Sequence, residues 1–128
     1  MNAEAEQAHT AKQRSNAQRR LRWVTGLCEH VWAHGRDGFV LHNDPCDLPR
    51  ETCGIYLLWL DEELIYIGVS VDVRKRLMSK NHRVYRRELQ IAVITLTEIV
   101  DWQRRQETVG LERALIGILR PPRNYRAS

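Results

Sequence analysis

The chain has no Cys-x-x-Cys pair. Its three cysteines, Cys28, Cys46 and Cys53, offer neither the even count of a disulfide framework nor the ligand spacing of a zinc ribbon. Histidines lie among them, but Cys28, His30, His34, His42 and Cys46 match no familiar zinc-ligand pattern. A reducing compartment is expected. No apolar run approaches the roughly 20 residues of a membrane span. The segment MNAEAEQAHT at the amino terminus is polar and lacks the apolar centre of a secretory signal. These absences predict a soluble, cytoplasmic protein with no membrane partner. Internal repeats and low-complexity tracts are also missing, which sets aside solenoids and disordered scaffolds.

What is present is enough for one core. A chain of 128 residues buries about two-thirds of its unfolded surface in a single domain and needs no staple. Lys and Arg number 20 against 16 Asp and Glu, with a pI near 9.3, a modest excess that favours a polyanionic partner.

Residues 1 to 20 are almost purely polar. From Leu21, apolar positions recur at Leu21, Val24, Cys28 and Val31, the spacing of one helical face, so a helix is predicted over about 11 to 34, ending near Gly35. Its front carries Lys12, Arg14, Arg19, Arg20 and Arg22, either a phosphate-following edge or a solvated basic face. Residues 35 to 53 are rich in Gly, Asp and Pro and read as a connector with one short strand at Phe39 to Leu41. Ser70 and Asp72 are candidate caps of a helix through Val73 and Leu77 to about Asn81. KNHRVYRREL, residues 80 to 89, sets Lys80, Arg83, Arg86 and Arg87 around Tyr85, again a phosphate-contacting surface or plain solvent exposure. Gln90 to Thr97 reads as a third strand, apolar enough to lie mid-sheet. A last helix is predicted from Thr108 to Leu119, stopped by Pro121 and Pro122.

Between these elements lies GIYLLWLDEELIYIG, residues 54 to 68. Two apolar runs around Asp61-Glu62-Glu63 predict a β-hairpin. With a three-residue loop, Tyr56 would pair across from Gly68 and Tyr66 across from Leu58, and both phenols would share a face; a two-residue loop would separate them. Two tyrosines on one face are either core filling or a site. In the last helix Glu112 borders the stripe of Leu111, Leu115 and Ile118, where a carboxylate is costly without a metal, an arginine or helix-end amides beside it. Arg76, one position before inward-facing Leu77, offers a planar fork suited to phosphate.

In chain order, Gly54-Ile55-Tyr56, Tyr66-Ile67-Gly68, Arg76, Glu112 and Pro121 to Asn124 resemble the GIY-YIG nuclease family over about residues 51 to 125. The resemblance implies a small α/β domain with a three-stranded central sheet, mixed or antiparallel, flanked by helices. Residues 51–128 would form this nuclease domain and residues 1–50 a basic helical arm and connector. It also implies cleavage of DNA phosphodiester bonds with one divalent metal, Mg2+ or Mn2+, held by Glu112. In such a site Tyr56 activates or orients the attacking water with Tyr66 beside it, and Arg76 neutralises the phosphate. Asn124 supports the architecture and takes its place among the substrate-side residues with Lys80, Arg83, Arg86, Arg87, Arg19, Arg20 and Arg22. His82 is similar to a histidine that some members place after this helix, where it would donate to the phosphate or leaving group.

The residue types suit the reaction. Hydrolysis of a phosphodiester needs a deprotonated water and positive charge for the developing oxyanion, which a metal and an arginine supply. Tyrosine, with a free pKa of about 10, is a poor base unless cations tune it. Several members carry a lysine directly after the second motif; here Val69 stands there, leaving Arg76 or Lys80 to take that part. DNA is the implied partner, with RNA as the alternative polyanion, and a homodimer or sequential nicking would account for cutting two strands. The resemblance leaves restriction, phage or homing-like and structure-specific repair types side by side. The rival reading from another class is a nucleic-acid-binding module that kept the fold and lost turnover.

Overall fold

The computed structural model describes residues 3–95 and 102–126, with side chains over 18–95 and 109–125. Along the chain run α1 (Ala3–His34), β1 (Gly54–Leu60), β2 (Glu63–Ser70), α2 (Val73–Met78), β3 (Gln90–Thr95), α3 (Trp102–Leu119) and α4 (Pro122–Arg126). Two short 3-10 turns, Gly35–Gly38 and Pro45–Asp47, occupy the connector. Among the described residues no helix is long and apolar enough to cross a membrane.

The sheet is antiparallel throughout, in the order β2-β1-β3. β1 is therefore the central strand, and β3 lies at the edge rather than mid-sheet as its apolar sequence predicts. The reason is that both faces of the sheet are covered, so even an edge strand is buried on two sides. The outer side of β3 is itself partly occupied, since His42 and Ile91 exchange backbone hydrogen bonds at 2.8 Å. The chain at Phe39 to Leu41 leads into this one bridge and forms no strand of its own.

Alternation along β1 divides the core. Ile55, Leu57 and Trp59 point to one face and pack with Ile67, Ala92, Leu115 and the α1 residues Val24, Cys28 and Val31. The second half of α1 thus shares a core with the sheet. Tyr56 and Leu58 point to the other face, against Ile65, Ile91, Val73, Leu77, Leu48, Val84 and Leu89. Each fully buried aliphatic side chain contributes about 1.5–3 kcal/mol by leaving water, and these two layers fix where the tyrosines and α2 sit.

Local details differ from the expectations in ways the chemistry explains. Leu60 pairs with Glu63, so the hairpin turn is Asp61-Glu62, with Asp61 in the left-handed region at φ 53. Such a turn alone would send the tyrosines to opposite faces. A bulge at Ile65, between the pairs Trp59–Leu64 and Leu58–Tyr66, shifts the register by one residue and restores them to the same face. α2 is capped by Asp72, which accepts from the Lys75 N–H, and ends at Met78 rather than near Asn81 because Ser79 turns to extended backbone. β3 is described to Thr95, so the expected extension to Thr97 lies outside the described residues. α3 begins six residues earlier than its predicted start at Thr108, and α4 begins within the proline pair, at Pro122, after Arg120 in the left-handed region at φ 49.

Candidate active site

Tyr56 pairs across the strands with Gly68, and Tyr66 with Leu58. Their rings lie on one face, 6.1 Å apart. The glycine has a steric reason: a Cβ built on Gly68 would overlap the ring and hydroxyl of Tyr56. The other motif glycine, Gly54, answers to β3 instead, since a Cβ there would run into the backbone of Ile94 and Thr95. So the glycine of the second motif makes room for the tyrosine of the first.

The loop after α2 brings a third ring to this pair. His82 is 4 % exposed, the one hydrophilic side chain among the buried described residues. Its Nε2 lies 2.9 Å from the Tyr56 hydroxyl. Its Nδ1 accepts from the backbone N–H of Val84 at 3.1 Å and of Tyr85 at 2.9 Å. A nitrogen that accepts two N–H groups carries no proton, so the neutral ring holds its proton on Nε2 and donates to Tyr56. The imidazole stands edge-on to both tyrosines, at 5.9 Å from Tyr56 and 5.6 Å from Tyr66.

Electrostatics keep His82 and Tyr56 neutral. Burial, then the Arg76 and Arg86 charges, push the His82 pKa down to about 4. Burial, then the neighbouring Tyr66, push the Tyr56 phenol well above its ordinary range; Arg76 pulls it back in part and Glu112 adds to the rise. Cation tuning of a tyrosine base is therefore outweighed here by desolvation. Tyr56, itself 2 % exposed, is a protonated phenol.

Two further charges act on the Tyr56 phenol, Arg76 lowering its pKa and Glu112 raising it. Arg76 lies on α2 between the buried Val73 and Leu77, and its guanidinium has no hydrogen-bond or ion-pair partner among the described residues. Glu112 is half-buried on α3, three residues before the core residue Leu115. Burial raises its pKa, with Arg113 acting in the opposite sense. Its carboxylate also lacks a hydrogen-bond or ion-pair partner among the described residues. A desolvated, unpartnered carboxylate fits a hard cation that keeps most of its waters and takes one protein ligand plus substrate oxygens. It does not fit a metal enclosed by protein: among the described residues no group of three His, Cys, Asp or Glu gathers, the cysteine and histidine set of α1 and the connector included.

Asn124 uses its whole amide on one residue. Its Oδ1 accepts from the Ile67 N–H and its Nδ2 donates to the Ile67 carbonyl, both at 2.8 Å. It thereby closes the free edge of β2 between Tyr66 and Gly68. Lys80, Arg83, Arg86 and Arg87 are exposed, and Arg86 donates to the carbonyls of His82 and Tyr85. Arg19, Arg20 and Arg22 are exposed on α1. Sequence reading passed over Arg50, Arg74 and Lys75, which line a cleft of about 590 Å³ between α2 and the loop before β1. It also passed over the His82–Tyr56 bond, because no local pattern marks a loop histidine that only the folded loop buries.

Compared with protein-family models, characterised proteins and solved structures, the chain matches none.

Proposed function

We propose that this protein is a divalent-metal-dependent endonuclease of the GIY-YIG kind that hydrolyses DNA phosphodiester bonds. The observation that carries the reading is the meeting of Tyr56, Tyr66 and His82 in one cluster, with the charges of Arg76 and Glu112, unpartnered among the described residues, acting on the same phenol. Three polar rings from two strands and a loop meet there at the cost of burying polar groups, which core filling alone does not require.

In this reading Glu112 holds Mg2+ or Mn2+, and the ion, when bound, supplies positive charge to the phosphate and its leaving oxygen. Arg76 grips non-bridging phosphate oxygens with its planar fork and offsets charge as it develops. The phenols orient the attacking water as hydrogen-bonding groups. Asn124 holds Ile67, and with it the alignment of Tyr66 and Gly68. The exposed arginines of α1 and of residues 83 to 87 bind backbone phosphates outside the scissile bond.

The experiment is nicking of supercoiled plasmid by the full chain with magnesium or manganese, against EDTA. Metal-dependent nicking supports the reading. Binding without cleavage on duplex, flap, forked and single-stranded DNA would replace it with a binding module.

A further inference from the structure

We propose that Arg86 is a preset phosphate-gripping residue and that His82 is the positioning residue that fixes it relative to the tyrosine site. The identity of the ligand, a DNA backbone phosphate beside the scissile one, rests on the nuclease reading; the geometry does not. Every polar atom of His82 is engaged. Its backbone N–H donates to the Ser79 carbonyl at 3.2 Å, Nδ1 accepts from the Val84 and Tyr85 amides, and Nε2 donates to the Tyr56 oxygen at 2.9 Å. Its carbonyl accepts from Arg86 Nη1 at 3.3 Å. Buried and fully bonded, the histidine has no donor left for a phosphate or a leaving group, the part that the sequence resemblance suggests for it.

Arg86 is fixed from the same loop. Nη1 has two hydrogens, and the fold supplies two acceptors: the His82 carbonyl and, at 2.7 Å, the Tyr85 carbonyl. The Arg86 carbonyl accepts from the Leu89 N–H at 3.0 Å. Nε and Nη2 have no hydrogen-bond partner among the described residues, and the side chain is exposed. Those two nitrogens form one edge of the planar guanidinium, with parallel N–H groups spaced to meet two oxygens of a phosphate. An exposed arginine ordinarily gives up rotamer freedom when it binds; this one is already held. Arg87, exposed one residue further on, makes no side-chain hydrogen bond among the described residues. The bond from Nε2 to Tyr56 ties the loop that carries the fork to the central strand of the sheet, so fork and phenol meet one DNA at a set spacing.

The test is binding of labelled duplex DNA by the full chain in EDTA, which needs no cleavage. Arg86→Lys keeps the charge and loses the fork, so affinity should fall about tenfold with the salt slope unchanged. Arg86→Ala should lose at least as much and reduce the slope by about 0.9. Arg87→Lys should stay within about twofold of the natural chain. His82→Asn keeps an acceptor where Nδ1 stands and cannot reach Tyr56; Tyr56→Phe cuts the same tie from the strand side and decides the matter if His82→Asn does not fold. Each should weaken binding about fivefold alone and hardly at all in an Arg86→Ala background, a coupling that a merely structural loss would not produce. The proposal is overturned if Arg86→Lys binds like the natural chain, if Arg87→Lys loses as much, if the losses at the tie and at Arg86 multiply, or if the natural chain binds no DNA. If the variants behave as stated and plasmid is never nicked with magnesium or manganese, the nuclease reading falls and the phosphate fork stands.

Discussion

Tyr56 occupies the space that a side chain at Gly68 would need. The two residues face each other across β1 and β2, and the ring of one lies against the bare backbone of the other. The second motif therefore ends in glycine because the first ends in tyrosine. Replacing Gly68 with alanine should displace the Tyr56 ring and destabilise the domain by about 1–3 kcal/mol, the usual cost of overpacking. In a Tyr56→Ala background the same change should cost far less, because the obstacle is gone. Denaturant unfolding of the four chains checks this; equal costs in both backgrounds would mean that the ring does not set the requirement.

Asn124 holds the strand that carries Tyr66. Asn124→Ala should leave the Ile67 N–H and carbonyl unsatisfied, costing about 1–3 kcal/mol, and speed amide hydrogen exchange at Ile67. Asn124→Asp should restore only the bond in which Ile67 donates, since a carboxylate cannot donate to the carbonyl. Residue-resolved hydrogen exchange reads both effects, and unchanged exchange at Ile67 in Asn124→Ala would show that the amide bonds are dispensable.

His82 makes stability depend on pH in a defined direction. Its pKa is about 4 in the fold and about 6.5 in an unfolded chain. Between those values the unfolded state binds a proton that the native state does not. Stability is therefore undiminished by this group above about pH 6.5 and falls as the pH drops toward 4, by an amount on the order of 3 kcal/mol. His82→Gln should flatten that part of the curve. Urea midpoints from pH 7 to 4 measure it, and parallel curves for the two chains would contradict the buried neutral imidazole.

Much of this was legible before any coordinates, and the failures have physical causes. Strand alternation tied the shared face of Tyr56 and Tyr66 to the loop length, and the sequence allowed a loop of either two or three residues. A two-residue turn with a bulge at Ile65 and a three-residue loop place the tyrosines alike, and apolar pattern does not separate them. Asp72 announced α2 by its side chain, but the end at Met78 depends on the turn through Ser79 to His82 and its backbone bonds. The central position was assigned to β3 on its apolar run; with a core on each face of the sheet, that run marks burial and not rank. Arg76 and Glu112 stood out because charges at the border of an apolar stripe are costly. The His82–Tyr56 bond joins residues 26 apart through a folded loop, and only tertiary structure brings them together.

The most direct measurement is cleavage and unfolding of Glu112→Gln side by side with the natural chain. Burial raises the Glu112 pKa, so its ionised form opposes folding at neutral pH, and a neutral amide of the same size relieves that cost. The account predicts that magnesium- or manganese-dependent DNA cleavage falls by at least about 10²-fold, while the unfolding midpoint without metal stays level or rises. If Glu112→Gln unfolds at neutral pH and its remaining folded fraction cuts DNA at the natural rate, Glu112 is a structural carboxylate and the proposed metal site is contradicted.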